Sequence, residues 1–371
     1  MDVLRDAHRR AAQGQDICHL EVGQPAASAP RAVLDAARAA LEGGRLGYTE
    51  ATGIPELRAR IAAHYGEAYG VEVGPERVIV TPGSSGGFML AFLALFAAGE
   101  KLALASPGYP AYRNILKALD IEPAWLETRA EDRWAPTAED LAELDDAENI
   151  SGLLLASPGN PTGTVIEPER LASLCRTARE RGLWLISDEI YHGLTYDTPA
   201  DTALRHDPDA IVVNSFSKYY CMTGWRIGWM IVPQALVRTM ERLAQNLFIC
   251  SPAISQLAAV AAFDAAGELE ANKAVYAANR EMLLTELPKI GIDRFLPVDG
   301  AFYLYADIGD YTNDSIGFSS RLLAEAGIAA TPGRDFDPFN GDRYLRLSFA
   351  GSNETIAKAI DRLGGFLKSC R

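Results

Sequence analysis

The stretch Ile211-Val-Val-Asn-Ser-Phe-Ser-Lys218, which continues to Thr223-Gly-Trp-Arg226-Ile-Gly228, is the most informative part of the chain. A short apolar, β-branched run such as Ile211–Asn214 is typical of a buried strand. Lys218 is therefore predicted to lie just past the carboxyl end of a strand. Open α/β sheets hold their ligands at that edge, so the stretch predicts an α/β fold with Lys218 in a ligand site.

The side chains around Lys218 indicate what that ligand is. A lysine partly desolvated at a strand end loses proton affinity and becomes a neutral amine, the form that makes a Schiff base with an aldehyde. Ser215, Ser217 and Arg226 add hydroxyl donors and a guanidinium fork, the groups that hold a phosphate. Pyridoxal phosphate carries an aldehyde and a phosphate on one ring, and these residues therefore predict a site for that cofactor.

Two other interpretations of Lys218 compete with this one. A lone lysine after a strand is most often a solvated loop residue. Ser215-x-x-Lys218 also has the form of the serine–lysine pair of penicillin-binding proteins and β-lactamases, which predicts a Lys-Thr-Gly further along. The sequence contains no such tripeptide. The residues that follow the other predicted strands distinguish a solvated loop lysine from a Schiff-base lysine.

The composition is that of an ordinary globular protein and argues against several classes of function. The 371 residues are 48% hydrophobic and 23% charged, and the net charge is −14. Such an acidic balance disfavours binding to nucleic acid or to an anionic membrane. The five cysteines are scattered and contain no C-x-x-C, so neither disulfides nor a metal site is predicted. The longest apolar stretch, Phe88–Ala98, is too short to cross a bilayer, and no signal peptide is recognisable. A soluble, cytoplasmic protein is expected.

Short apolar runs alternate with helical segments through the first two-thirds of the chain. Strands are predicted at Arg77–Thr81, Lys101–Ala105, Gly152–Ala156, Leu183–Ser187, Ile211–Asn214 and Gly228–Val232. Strands interleaved with helices predict a mainly parallel sheet covered by helices on both faces. From about Ser255 the pattern changes to long helices followed by a smaller α+β unit. We predict a large domain over residues 28–260 and a small domain from residues 261–371 together with residues 1–27.

Five of the predicted strands are each followed by a turn that carries polar or aromatic side chains. In chain order the turns present Ser84 and Ser85, then Tyr109, then Asn160, then Asp188 with Tyr191, and finally Lys218. If these strands are parallel, all five turns lie along one edge of the sheet.

Each turn offers a group that a pyridoxal ring requires. Small residues that open a helix, here Ser84 and Ser85, expose backbone N–H groups to a phosphate. A carboxylate such as Asp188 keeps the pyridine nitrogen protonated, so that the ring acts as an electron sink. Tyr109 is predicted to stack on the ring face. Asn160 and Tyr191 are predicted at the ring's 3′-oxygen.

Together these residues identify a family. Ser215-x-Ser-Lys218 with Gly224-x-Arg226-x-Gly228 closely resembles the lysine signature of the class I/II aminotransferases, which are fold type I pyridoxal-phosphate enzymes. Further matches to the family's site residues extend over nearly the whole chain: Gly23-Gln-Pro25, Tyr48, Asn160-Pro-Thr-Gly163, Asp188-x-x-Tyr191 and Arg346. The resemblance implies a seven-stranded sheet and a ping-pong transfer of an amino group between an amino acid and a 2-oxo acid.

The resemblance also implies roles for individual residues. Lys218 would form the Schiff base with the cofactor and then move the proton at the substrate Cα. Arg346 would grip the substrate α-carboxylate in a bidentate fork, next to Gly23 and Asn160. Tyr48 would reach the cofactor phosphate of a neighbouring subunit, which implies a homodimer with shared active sites.

Two rival enzyme classes remain to be weighed. Gly83-Ser-Ser85-Gly-Gly87 also satisfies the G-x-S-x-G pattern of serine hydrolases, but the last histidine is His206 and no His-Gly-Gly-Gly precedes Ser85. A carbon–sulfur β-lyase of the same fold would use the same cofactor and nearly the same site residues. The site residues leave that alternative open.

The loop around Ser85 bears on the substrate. Binding an acidic side chain in a dry pocket needs a second cation besides Arg346. In bacterial relatives that prefer aspartate, this cation can be a lysine at the position matched by Ser85, whereas here the loop is uncharged. With Tyr48, Tyr109 and Phe302 as candidate lining residues, we predict a neutral amino acid donor, aliphatic or aromatic, and pyruvate or 2-oxoglutarate as the acceptor.

Overall fold

The computed structural model describes residues 2–44, 46–144 and 149–370. The helices of these residues are α1 Asp2–Ala12, α2 Arg31–Glu42, α3 Pro55–Tyr69, α4 Ser84–Leu95, α5 Pro110–Ala118, α6 Ala138–Glu143, α7 Pro168–Glu180, α8 Val237–Phe248, α9 Ala253–Val260, α10 Ala266–Glu286, α11 Ser315–Ala326 and α12 Asn353–Ser369. The strands are β1 Cys18–His19, β2 Val78–Thr81, β3 Lys101–Ser106, β4 Glu122–Glu127, β5 Ile150–Ala156, β6 Trp184–Asp188, β7 Ile211–Ser215, β8 Gly228–Ile231, β9 Tyr303–Asp307, β10 Ile328–Ala329, β11 Thr331–Pro332 and β12 Tyr344–Ser348.

The central sheet has, in the described part of the chain, seven strands in the order β2-β8-β7-β6-β5-β3-β4. The pairs from β7 through β4 are parallel. Strand β8 is antiparallel to both β2 and β7, so β2 points the same way as β7. The predicted mainly parallel, seven-stranded α/β sheet is thus confirmed, with β8 as its one reversed strand among the described residues.

One strand of this sheet, β4, was not predicted from the sequence. Among the described strands, β4, Glu122-Pro-Ala-Trp-Leu-Glu127, pairs only with β3 and forms one edge of the sheet. Ala124 and Leu126 are buried, whereas its other residues are exposed or partly exposed. It also contains a proline, which edge strands tolerate because one side makes no ladder hydrogen bonds. The sequence of a half-exposed edge strand therefore contains no continuous apolar run.

The sheet is buried on both faces, which explains why its inner strands read as unbroken apolar runs. Neighbouring residues of β7 belong to different apolar clusters: Val212 packs with α2, α3, α7 and α9, whereas Val213 packs with α4, α5 and α8. The central strands therefore cannot slip by one residue without moving buried side chains to the wrong face.

A third apolar cluster forms around the C-terminal elements. The antiparallel strands β11, β12 and β9 pack with α10, α11 and α12, and Cys18 and Leu20 near the N-terminus join them. Helix α10 contributes Leu269 to the cluster on the large sheet and Tyr276 to the C-terminal one. The division into domains 28–260 and 261–371 plus 1–27 stays a prediction.

The parallel direction of β2, β3, β5, β6 and β7 brings the five turns noted in the sequence to one edge of the sheet. Strand β12 of the C-terminal cluster faces this edge, since Arg346 on β12 bonds to Asn160 in the turn after β5. Within the described residues no helix combines the length and the apolar character needed to span a lipid bilayer.

Candidate active site

A cavity of about 550 Å³ opens at this sheet edge, between the large sheet and β12. It brings together most of the residues that the sequence singled out: Gly23, Ser84, Ser85, Tyr109, Asn160, Asp188, Tyr191, Ser217, Lys218, Arg226 and Arg346. These residues come from segments more than three hundred positions apart in the chain. The folded sheet edge therefore assembles one site from them.

Lys218 lies partly buried in this cavity, three residues past the end of β7. Its Nζ donates a hydrogen bond to the Gly23 carbonyl oxygen at 2.5 Å and lies 5.8 Å from the centre of the Tyr191 ring. Burial, reinforced by the positive charge of Arg346, lowers the pKa of Lys218 to about 8, against the opposing effect of Asp188. The amine thus gives up its proton far more easily than a solvated lysine.

Asp188 ends strand β6 with its side chain buried. Its Oδ1 accepts a hydrogen bond from the Ile190 amide at 3.1 Å, and the Tyr112 hydroxyl donates to Oδ2. Burial raises the pKa of Asp188 to about 6, while the hydrogen bonds from Tyr112 and Ile190 and the charge of Lys218 pull it down. A cationic partner in the cavity would lower this pKa further and keep the carboxylate ionised.

Tyr112 was not predicted as a site residue, although the sequence carries a signal for it. Tyr112 follows Tyr109 by one helical turn at the start of α5, a spacing that places two side chains near each other. The two rings meet edge to face at 5.4 Å between centroids. Tyr112 therefore contacts both Asp188 and the ring predicted to stack on the cofactor.

The Arg226 guanidinium lies against the start of α4. Gly83 precedes the helix with φ +77°, and Ser84 and Ser85 are its first residues. A Cβ on Gly83 would lie 2.3 Å from Nη2 of Arg226, so only glycine allows the arginine to approach the helix N-terminus this closely. Backbone N–H groups, hydroxyls and a guanidinium converge here, which suits a phosphate.

The two serines before Lys218 lie at different depths. Ser217 lines the cavity, whereas Ser215 does not. The Ser215 hydroxyl donates to the Ile227 carbonyl oxygen at 3.0 Å and lies 2.9 Å from the Ser217 hydroxyl. The structure thus places Ser215 beneath the predicted phosphate contact, where it orients Ser217.

Arg346 on β12 also lines the cavity. Its Nη1 donates to Asn160 Oδ1 at 2.9 Å, and its Nη2 donates to the Glu21 carbonyl oxygen at 2.5 Å and to Thr331 Oγ1 at 3.2 Å. Among the residues that the structure describes, its buried Nε has no hydrogen-bond partner. Because a buried donor without an acceptor is costly, this free N–H fits an anionic ligand, and a carboxylate is the natural complement of a guanidinium.

Two residues named from the sequence lie elsewhere. Tyr48 is 84% exposed and does not line the cavity of its own chain. Phe302, a candidate for lining the substrate pocket, is fully buried and packs edge-on against Tyr191 and Tyr276. Its neighbour Tyr303 lines the cavity instead, because successive side chains around a strand point to opposite sides.

The donor set fits pyridoxal phosphate. An amine of lowered pKa, a buried carboxylate and a phosphate-type anion site share one cavity, which is the combination that an aldehyde, a pyridine nitrogen and a phosphate on one ring demand. Among the described residues no group of three or more His, Cys, Asp and Glu side chains forms a metal-binding cluster. No histidine of the described part lines the cavity beside Ser85, as a hydrolase triad would need.

Comparisons with known proteins agree with this chemistry. Residues 15–363 match the family described as aminotransferase class I and II. The chain is 50% identical to the valine–pyruvate aminotransferase of Mycobacterium tuberculosis over 373 residues, covering all of this chain and 96% of that protein. It is 34% identical to the (5-formylfuran-3-yl)methyl phosphate transaminase of Methanocaldococcus jannaschii, covering 99% of this chain and 96% of the relative.

A solved structure extends the agreement to three dimensions. The crystal structure of an aminotransferase from Mycobacterium tuberculosis superposes with a TM-score of 0.97 at 50% identity, covering all of this chain and 96% of that one. The relatives named here are aminotransferases rather than lyases, and the β-lyase alternative is not favoured. The chain belongs to the class I and II aminotransferase family and is a pyridoxal-phosphate-dependent aminotransferase.

Proposed function

We propose that the aminotransferase reaction is carried by Lys218, Asp188 and Tyr191. Bound pyridoxal phosphate supplies the electron sink for the charge that develops at the substrate Cα. Lys218 would hold the cofactor covalently and would take and return the proton at the substrate Cα, a task that its lowered pKa supports. Asp188 would pair with the protonated ring nitrogen, and Tyr191 and Asn160 would donate to the ring's 3′-oxygen.

The remaining cavity residues bind and orient in this proposal. Ser84, Ser85, Ser217 and Arg226 hold the phosphate, and Tyr109 covers one ring face. Arg346 binds the substrate α-carboxylate through its fork, supported by its unpartnered Nε. Asn160 lies beside that fork, since its Oδ1 accepts from Arg346, and the Gly23 carbonyl oxygen accepts from Lys218 in the same cavity.

The donor proposed for this chain is a neutral amino acid, because the basic groups of the cavity already have roles. Among the described residues that line it, the basic side chains are Lys218, Arg226 and Arg346. None of the three is left to neutralise a second carboxylate, and Glu21 and Asp335 add negative charge to the lining. A buried, unpaired carboxylate costs several kcal/mol, so acidic donors are disfavoured.

The apolar part of the lining supports the same donor class. Val3, Leu4, Val22 and Phe336 line the cavity and offer contacts to an aliphatic or aromatic side chain. The name of the 50% identical relative, valine–pyruvate aminotransferase, combines a neutral donor with pyruvate. We propose a neutral aliphatic or aromatic donor and pyruvate or 2-oxoglutarate as the acceptor.

A half-reaction assay tests the donor class. Stopped-flow absorbance of the cofactor on mixing with valine, alanine, phenylalanine or aspartate gives a second-order rate constant for each. We expect the best neutral donor to exceed aspartate by about 100-fold, the effect of an unpaired carboxylate in a desolvated pocket. Ser85→Lys, which adds a cation to the uncharged loop, should narrow this ratio. If aspartate reacts fastest with the unaltered enzyme, a cation from elsewhere, such as a partner subunit, completes the site and the proposal is wrong.

We propose that the active unit is a homodimer. Tyr48 is 84% exposed, and its neighbour Thr49 donates from its amide to Cys250 in the segment before α9 and accepts from Gln256 in α9 itself. That segment carries Ile249, an apolar residue that is 47% exposed. Apolar and aromatic side chains exposed side by side mark an interface. A second copy of the chain would cover them and bring its Tyr48 to the phosphate.

Sedimentation and cofactor binding test this arrangement. The protein should sediment as a dimer, and Tyr48→Phe should weaken pyridoxal-phosphate binding by about 10- to 100-fold, the loss of one hydrogen bond to a charged group. Tyr344→Phe serves as the matched control, because Tyr344 does not line the cavity. Full activity of a monomer at nanomolar concentration would contradict the shared site.

A further inference from the structure

Tyr303 lies in the active-site cavity, but none of the roles proposed above involves it. It begins β9, is 1% exposed, and lines the cavity. Its hydroxyl oxygen lies 2.8 Å from the hydroxyl oxygen of Tyr191. Its ring centre lies 4.3 Å from Cζ of Arg346. One side chain therefore contacts both the residue proposed for the ring oxygen and the residue proposed for the substrate carboxylate.

The position of the Tyr303 hydroxyl is fixed by a close approach to the backbone. A Cβ built on Gly23 would lie 1.7 Å from that hydroxyl oxygen, so the tyrosine fills the space that the missing side chain leaves. The Gly23 carbonyl in turn accepts the hydrogen bond from Lys218. Tyr303 is thus packed against the backbone that also positions the amine.

The ring of Tyr303 forms one half of a clamp around Arg346. The guanidinium lies over two aromatic rings, with Cζ 4.3 Å from the centre of Tyr303 and 4.7 Å from the centre of Phe336. A guanidinium in contact with two rings gains cation–π energy and loses its freedom to rotate away. The fork is therefore preorganised before a carboxylate arrives.

We propose that Tyr303 is a positioning residue that couples the two ends of the active site, its ring holding the Arg346 guanidinium and its hydroxyl donating to Tyr191. The inference rests on the roles proposed for Tyr191 and Arg346. A tyrosine hydroxyl can donate one hydrogen bond. In its proposed role, Tyr191 donates that hydrogen bond to the 3′-oxygen of the cofactor. Its oxygen then accepts from Tyr303, and a donor that also accepts a hydrogen bond is a stronger donor.

The proposed hydrogen bond from the Tyr303 hydroxyl to Tyr191 is tested by a spectroscopic pH titration of the holoenzyme. Tyr303→Phe keeps the ring and removes the donor to Tyr191, so the pH midpoint of the cofactor's absorbance change should rise by about 0.2–0.5 units. Tyr191→Phe should raise it further. Tyr305→Phe is the matched control, because Tyr305 lies two residues along the same strand and its buried hydroxyl has no hydrogen-bond partner in the described part of the chain. The absorbance midpoint of this variant should not move.

The contact of the Tyr303 and Phe336 rings with Arg346 is tested by measuring KM and kcat separately for each variant. Phe336→Leu removes one ring face and should raise KM for the amino acid and for the 2-oxo acid by about 2- to 30-fold. Tyr303→Phe retains both rings and should leave KM within about 2-fold while kcat falls. An unchanged KM in Phe336→Leu would overturn the clamp.

The outcomes separate this inference from the proposed function. If Tyr191→Phe moves the absorbance midpoint and Tyr303→Phe does not, the coupling is wrong and the role of Tyr191 stands. If neither variant moves it, both the coupling and the assignment of Tyr191 are wrong. Transamination by the unaltered enzyme with a neutral donor decides the proposed function independently of either variant.

Discussion

Lys218→Ala is expected to lower the rate of transamination by at least about 10⁴-fold, because the variant loses both the covalent attachment and the proton carrier. A pKa of about 8 in place of 10.5 increases the neutral fraction of this amine at pH 7 by about two orders of magnitude. The measurement is kcat with a neutral donor, together with borohydride reduction and peptide mapping of the modified lysine.

Peptide mapping identifies which lysine carries the reduced cofactor. In the unaltered enzyme the reduced cofactor should be found on Lys218, and in Lys218→Ala no lysine should carry it. Lys117→Ala is the control, since Lys117 lies exposed in the last turn of α5 and does not line the cavity. A reduced adduct on any lysine other than Lys218 would refute the assignment.

Asp188→Asn is expected to leave the cofactor bound while lowering kcat by about 10²- to 10³-fold, the scale of removing one preorganised electrostatic contact. The neutral amide still fills the space at the end of β6 but cannot hold a proton on a pyridine nitrogen. The Tyr112 hydroxyl, which donates to Asp188, keeps a partner in the amide oxygen. Absorbance of the bound cofactor and single-turnover kinetics measure the two effects separately.

The adjacent carboxyl group provides a matched control for Asp188. Glu189 is equally buried but does not line the cavity, and its Oε1 accepts from the Thr202 hydroxyl and the Ala203 amide. Burial raises the pKa of Glu189 to about 8, so at neutral pH it is mostly protonated and Gln is a close replacement. Glu189→Gln should retain kcat within about 3-fold. Near-normal turnover in Asp188→Asn would show that the wrong carboxylate was chosen.

The fold class and most of the site could be predicted from the sequence because the signals are local. An unbroken apolar run such as Ile211–Asn214 indicates a strand buried on both faces, and its end is marked by the polar residues that follow. Lys218, Asp188 and Asn160 each follow the end of such a run within four residues. Parallel strands bring their carboxyl ends to one edge, so the grouping of these residues follows from the strand pattern alone.

Sequence patterns were less informative where burial or direction is set by a neighbour. The edge strand β4 has no apolar run because one of its sides lies outside the sheet. The reversal of β8 depends on its pairing with both β2 and β7. Phe302 and Tyr303 are adjacent aromatic residues, and the choice of which one faces the cavity depends on the register of β9 with β12.

Contacts between residues far apart in the chain were decided by the tertiary structure. The sequence placed Asp188 and Glu189 side by side, and only the folded sheet edge shows that the first faces Tyr112 and the cavity while the second bonds to Thr202. The contacts of Tyr303 with Gly23 and Arg346 join segments from both ends of the chain. The sequence by itself determined which chemical groups follow each strand, because that depends on neighbours in the chain. Their mutual distances, hydrogen bonds and pKa shifts arise only when packing removes them from water and holds them together.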